Sequence, residues 1–394
     1  MTTVDWTENE SAFSARWHSE NASPAPARIV VIDDRTTANA AHRLAKAETG
    51  LLWRGDFHNA RQLIRALERR RQRNPRAAVT GSDLASLFES QRAERSARAE
   101  LLGRVLVVLE PGYDLRLRRA PEVRPACEHA YGTASDGPAA GGTERVCVSL
   151  PELLGVLSAH QWHLRGVEIP ALGARIHPDY GVFSPVRGEY IDLVAGAPLP
   201  AGAGQPRVFD LGTGTGVLAA VLAQRGSRVV ATDINPRAVR CARANLHRLG
   251  VADRARVVEA DLWPDGRADL VICNPPWLPA RPTSALELGI YDHNSDMLRR
   301  FLRGLPDHLA PGGEGWLILS DLAERLGLRT RDELRTQIAE AGLRVADRYD
   351  TSPQHPRATD AADPLHEARR QEITSLWRLV PDHHTVTGAT VRFP

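Results

Sequence analysis

The chain has 394 residues, 42% of them hydrophobic and 25% charged, with 50 basic against 48 acidic residues. An ordinary apolar fraction over that length excludes wholesale disorder and allows two or three domains with cores of their own. No apolar run reaches the roughly 18 residues of a membrane span, and the polar start from Met1 to Glu10 lacks the basic and apolar regions of a signal peptide. The four cysteines, Cys127, Cys147, Cys241 and Cys273, are scattered without C-x-x-C spacing. Buried free thiols and a cytoplasmic location are therefore expected, with neither metal nor membrane partner.

Residues 1–27 are polar and rich in Ser, Ala and Pro, and are expected to form a loose N-terminal arm. Residues 28–170 are expected to form a helix-rich domain. It opens with a short strand at 28–32, followed from Ala38 to Arg73 by an amphipathic helical pattern through Leu44, Leu51, Leu52, Leu63, Ile64 and Leu67, broken near Gly55. Asp83 is placed to cap a helix from Leu84. Residues 104–109 (RVLVVL) suit a buried strand or the end of that helix, 131–143 are turn-rich, and a helix follows at 151–160. Residues 42–119 hold 17 basic against 9 acidic residues. The run Arg69, Arg70, Arg71, Arg73 and Arg76 could meet phosphates, but a solvated helix end is the expected reading. Asp56, His58 and Asn59 are expected to form a helix cap.

Beyond 171 the pattern changes. Apolar strand-like runs at 207–211, 228–232, 256–259, 269–273, 315–319, 343–349 and 375–380 alternate with helical patterns at 217–225, 236–249, 295–309 and 329–341. This alternation predicts an α/β domain over 171–394 with a doubly wound, mostly parallel sheet. Between the last two strands, 351–374 insert a polar stretch with Asp360, Asp363, Glu367 and Glu372 beside Asp350. A solvent-exposed loop is expected there, recognition of a cationic substrate being the alternative; His355 and His366 carry no metal-ligand spacing.

The segment RVFDLGTGTGVLAAVLAQ, 207–224, takes a strand to Asp210, turns on Gly212, Gly214 and Gly216, and enters an apolar helix. Glycines in such a turn let a ligand approach the backbone. A second strand ends in Asp233, whose two oxygens suit the two donors of a ribose diol. The fourth strand ends in DLVICNPPW, with Asn274, Pro275, Pro276 and Trp277. The prolines remove two backbone donors, Asn274 offers an amide oxygen, and Trp277 offers a flat face. The set suits a planar NH2 group that donates to Asn274 and the Pro275 carbonyl while stacking on Trp277.

Acidic residue, glycine loop and second acidic residue together resemble class I S-adenosylmethionine (SAM)-dependent methyltransferases. N-P-P-W resembles the N-P-P-[YFW] motif of the amino-methyltransferases, which include release-factor glutamine methyltransferases, small-domain rRNA guanine methyltransferases and adenine methyltransferases. The resemblance implies a Rossmann-like seven-stranded sheet binding SAM through Asp210, Gly212, Thr213, Gly214, Gly216, Asp233, Ile234, Asp261, Leu262 and Asn274. Asn274, Pro275, Pro276 and Trp277 would hold the acceptor. Upstream, YGVFSPVRGEYIDLV loosely resembles the P-R-P-E-T stretch of the release-factor enzymes, which implies substrate contacts from Phe183, Arg187, Glu189 and Tyr190. The expected activity is N-methylation of a planar sp2 nitrogen in a glutamine amide or a small-molecule amide or guanidine. Methylation of an RNA or DNA exocyclic amine and a non-catalytic SAM sensor or scaffold remain alternatives. Substrate presentation by residues 28–170 is assigned by analogy.

Overall fold

The structure, a computed structural model, describes residues 2–73, 83–133, 144–185, 187–200, 204–282, 286–353, 360 and 363–382. Arg76, His355, and the greater part of 131–143 lie outside the described residues. The chain divides into two compact units, one of residues Met1–Ser82 and Ser86–Arg165, the other of Asp83–Ala85 and Gly166–Pro394.

The first unit is built on a six-stranded sheet in the order β1-β2-β6-β5-β4-β3. Its strands are β1 (Thr3–Glu8), β2 (Ser11–Trp17), β3 (Ile29–Ile32), β4 (Gly50–Trp53), β5 (Val105–Leu109) and β6 (Val146–Ser149). The helices are α1 (Ala38–Lys46), α2 (Phe57–Arg73), α3 (Leu84–Gly103), α4 (Arg124–Tyr131) and α5 (Leu150–Arg165). The expected helices are present, but the sheet they cover was not anticipated. Two expectations are corrected here. Residues 3–17 are an antiparallel hairpin, not a loose arm, turning at Asn9 and Glu10 with φ of 48° and 62°. Val4 and Trp6 anchor it in the core, and apolar residues alternate through Val4, Trp6, Phe13, Ala15 and Trp17, a period-two signal that the polar composition of the segment masked. Residues 50–53 are strand, not helix: Leu51 and Leu52 are both fully buried, as consecutive residues are in a central strand covered on both faces. Asp56 is the expected helix cap. Its Oδ1 accepts from the N–H groups of His58 and Asn59, and the Arg119 guanidinium beside it lowers its carboxyl to about 2.

The second unit opens with a two-stranded hairpin, β7 (Val167–Ile169) and β8 (Ala174–Ile176), and helix α6 (Glu189–Gly196). Then come β9 (Arg207–Leu211), α7 (Val217–Gln224), β10 (Arg228–Asp233), α8 (Pro236–Arg248), β11 (Ala255–Glu259) and β12 (Ala268–Cys273). The remainder is α9 (Asp296–His308), β13 (Leu309–Ser320), α10 (Leu322–Arg325), α11 (Arg331–Glu340), β14 (Leu343–Thr351), α12 (His366–Arg370) and β15 (Thr374–Pro381). The seven-stranded sheet runs β11-β10-β9-β12-β13-β15-β14, with β15 antiparallel to both neighbours and the other pairs parallel. Period-two alternation gives the central strands β9 and β12 two buried faces. Val208, Leu270 and Ile272 face the core shared with α6, α7 and α8, while Phe209, Val271 and Cys273 face α9 and α11. The strand order reverses direction between β9 and β12, and the crevice at their carboxyl ends is where an open α/β sheet takes its ligands. Among the described residues, no helix is long and apolar enough to cross a membrane.

Candidate active site

The crevice is lined from β9 outward by the glycine turn. Gly212, Gly214 and Gly216 all take positive φ, at 71°, 55° and 81°. Gly216 is required by packing as well, since a Cβ there would lie 3.1 Å from Ala242 Cα in the facing helix. At Gly214 a Cβ would meet nothing within 4 Å, so its backbone is open to a ligand. At Gly212 the space is taken by the flexible end of Met297, whose Cε lies 2.7 Å from the position of an added Cβ.

Asp210 lies beneath this turn rather than in it. It is buried, and its Oδ2 accepts from the Thr213 hydroxyl at 2.6 Å and the Ala219 N–H at 3.1 Å, tying the turn to the first residues of α7. Burial raises its carboxyl to about 6, against those two hydrogen bonds and with a smaller push from Asp233. Asp210 and Thr213 thus shape the loop from beneath. A raised folded-state pKa adds stability that is complete below the unfolded value near 3.8 and is lost as the pH rises through 6. Unfolding measured from pH 4 to 7 should therefore show wild-type stability falling, on the order of 3 kcal/mol by the shift alone, with Asp210→Asn flattening that slope. Parallel pH profiles of the two proteins would refute the assignment.

Asp233 ends β10 half-buried, its Oδ2 accepting from the Gly214 N–H and its Oδ1 from the Asn235 N–H, each at 2.9 Å. Burial raises its carboxyl above the ordinary range. Each oxygen keeps a second lone pair for a diol. Beside it Ile234 is 64% exposed, a large apolar surface suited to a flat ring. Asp261 is exposed and pairs with Arg300 at 3.0 Å, and Leu262 is buried at a φ of 79°, with its carbonyl accepting from the Thr232 hydroxyl. Open glycine backbone, a two-oxygen acceptor and an exposed apolar side chain in one crevice fit the polar and flat parts of SAM.

The tetrapeptide follows β12 directly. Register pairs Cys273 with Leu211, so Asn274 leaves the sheet next to Gly212. Asn274 Oδ1 accepts from the indole N–H of Trp277 at 2.8 Å, which fixes the amide with its oxygen toward the ring and leaves one lone pair for an acceptor. The guanidinium carbon of Arg187 lies 4.8 Å from the indole centroid, and Tyr190 meets the ring edge-on at 6.5 Å. Glu189 and Tyr190 are both buried, because α6 begins at Glu189 and turns them into the core. Phe183 is half-buried against Gly289, where a Cβ would lie 2.8 Å from the Phe183 Cβ.

Several site residues escaped the sequence reading. Asp292 accepts from the N–H groups of Met297 and Leu298 at 3.0 and 3.1 Å and so sets the start of α9 against the glycine turn. It precedes the helix across a turn with Asn294 and Ser295 at positive φ, a spacing that no ordinary cap signature announces. Glu372, expected on a solvent-exposed loop, is fully buried and reaches Arg187 at 3.0 Å. Its partner lies far away in sequence, so only the fold brings the two together.

Residues 175–330 match the family described as Methyltransferase small domain. The chain is 38% identical over 122 residues to the release factor glutamine methyltransferase of Cereibacter sphaeroides, covering 27% of this chain and 44% of that protein. It is 33% identical over 118 residues to ribosomal RNA small subunit methyltransferase C of Alcanivorax borkumensis, covering 29% and 33%. It is 51% identical over 70 residues to the ribosomal protein L11 methyltransferase of Pelotomaculum thermopropionicum, covering 17% and 23%. The chain spans less than half the length of each of these relatives. Strand order, glycine turn, N-P-P-W and family match agree: residues 175–330 form a methyltransferase small domain of the class I, SAM-dependent kind.

Proposed function

We propose that the protein methylates a planar sp2 nitrogen, in a protein glutamine amide or a small-molecule amide or guanidine. The observation that carries this reading is Asn274, set beside the glycine turn with its amide oxygen oriented by Trp277. SAM supplies an electrophilic methyl group on a sulfonium. Asp233 and the open backbone at Gly214 would hold its polar parts, with Ile234 against its flat ring.

The acceptor nitrogen shares its lone pair with a π system and is a weak nucleophile. Two acceptors, Asn274 Oδ1 and the Pro275 carbonyl, would draw on its two hydrogens, raise electron density at nitrogen and hold the lone pair in line with the methyl. Pro275 and Pro276 lack N–H groups, so neither can donate to a neighbouring carbonyl. Positioning supplies much of the rate in such a site, and the proton can leave after transfer.

An amide or guanidine is favoured over a nucleobase by how the arginines of α2 are used. Arg71 pairs with Glu94 at 2.6 Å, Arg98 on α3 pairs with Glu68 on α2, and Arg70 donates to Asn39 at 2.9 Å. These groups bind α1, α2 and α3 together rather than waiting for phosphates. Presentation of the acceptor is proposed for the first unit. The test is incubation with methyl-labelled SAM against release factors, ribosomal protein L11, small-subunit rRNA and a metabolite fraction. Label in protein or metabolite supports the reading. Label in RNA alone overturns the acceptor class, and SAM binding with no labelled product points to a sensor or scaffold.

A further inference from the structure

Arg187 is bound more tightly than a substrate contact at a pocket mouth needs to be. Its Nε donates to Glu189 Oε1 at 3.2 Å, and its Nη2 lies 3.1 Å from the same oxygen and 3.0 Å from Glu372 Oε1. The carboxylate side chains are 1% and 0% exposed, against 20% for the arginine. Glu372 Oε1 also accepts from the Ser320 hydroxyl at the end of β13, so one anchor is fixed to the sheet and the other to the start of α6. Two buried carboxylates around one cation form an arrangement that breaks at high cost if the cation leaves. One hydrogen bond and two close ion-pair contacts thus hold the guanidinium, and the side chain it covers is Trp277.

We propose that Arg187 is a positioning residue that acts through Trp277: clamped between Glu189 and Glu372, it holds the indole so that the ring N–H fixes the Asn274 oxygen for the acceptor. The chain of contacts is continuous. Arg187 covers one face of the indole at 4.8 Å, Tyr190 meets its edge at an interplanar angle of 87°, and the Nε1–H donates to Asn274 at 2.8 Å. With the ring packed against both Arg187 and Tyr190, its N–H holds the amide torsion of Asn274. A phenylalanine or tyrosine at 277 would accept the same stacking but has no ring N–H to offer. The face under Arg187 is filled by the protein itself, so the acceptor is left the opposite face or the edge. The proposal rests on the reading of residues 274–277 as the acceptor clamp.

Arg187→Lys keeps a positive charge for both carboxylates but replaces the planar guanidinium by a point charge that cannot stack in the same way. The expected result is a fall in kcat of at least roughly tenfold, with SAM affinity by calorimetry and melting temperature unchanged. The indole N–H resonance of Trp277, assigned by its loss in Trp277→Phe, should move from its wild-type position. Wild-type kcat, or a resonance that stays in place, overturns the proposal. Should Arg187→Lys fail to fold, Glu372→Gln loosens the anchor while Glu189 still pairs the arginine. The same displaced resonance is then expected, and an unmoved one is again fatal. The resonance needs no acceptor: a wild-type protein that labels no fraction refutes the functional reading, while the spectrum still decides the clamp.

Discussion

Asn274→Ala is expected to lower methyl transfer by about 10²–10³-fold, the usual cost of deleting one preorganised polar contact to a reacting group, while SAM affinity stays close to wild type. The alanine removes the oxygen that would take one acceptor hydrogen and also strands the Trp277 N–H, now bonded to that oxygen at 2.8 Å. Half-buried, the indole can recover a water, so folding should suffer by only about 1–2 kcal/mol. Asn274→Asp is the informative partner, since a carboxylate accepts from both the indole and the acceptor. It should retain measurably more turnover than alanine. Single-turnover rates at saturating SAM, with calorimetric affinity on the same preparations, separate the cases. Unchanged turnover in the alanine variant would remove Asn274 from the reaction. A parallel loss of turnover and SAM binding would make it a cofactor residue instead.

The catalytic half of the molecule was legible because its signals are local. Strand, glycine turn and helix follow one another within 207–224, and Asn274 to Trp277 are contiguous at a strand end, so the fold only had to bring two short segments together. All seven strands of that sheet were readable as apolar runs between helical patterns. The first unit was less legible for a physical reason. In β4 the run Leu51–Leu52 carries no period, so burial on both faces could not be told from a helix face, and in β1 and β2 the alternating apolar residues stand among Thr, Ser, Asp and Glu that read as a polar arm. At the site the unread part was everything non-local. Glu372 meets Arg187 from 185 positions away, and Met297 closes over Gly212 from 85. The indole bond to Asn274 is three residues long and was missed because Trp277 was considered for its face and not for its N–H.

Asp233→Ala should strike the other side of the reaction. Loss of both oxygens would forfeit two hydrogen bonds between the ribose diol and a charged acceptor, each on the order of 1.5–3 kcal/mol, so SAM affinity should weaken by roughly 10²–10⁴-fold. Part of the effect is indirect, because Asp233 also accepts from the Gly214 and Asn235 N–H groups and so holds the open glycine in place. Asp233→Asn divides the two contributions: its single carbonyl oxygen can keep the Gly214 bond or serve one hydroxyl but cannot reproduce the full set, and its affinity should fall between the other two. Protonation acts in the same direction. Burial raises the Asp233 carboxyl, so wild-type affinity should decline as the pH falls through that raised value, whereas the alanine variant should show no such decline from this group. Turnover at saturating SAM should largely recover in Asp233→Ala, in contrast to Asn274→Ala, since the acceptor clamp is intact. Calorimetry across pH on the three proteins is the measurement. Unaltered SAM affinity in Asp233→Ala would show that the ribose lies elsewhere.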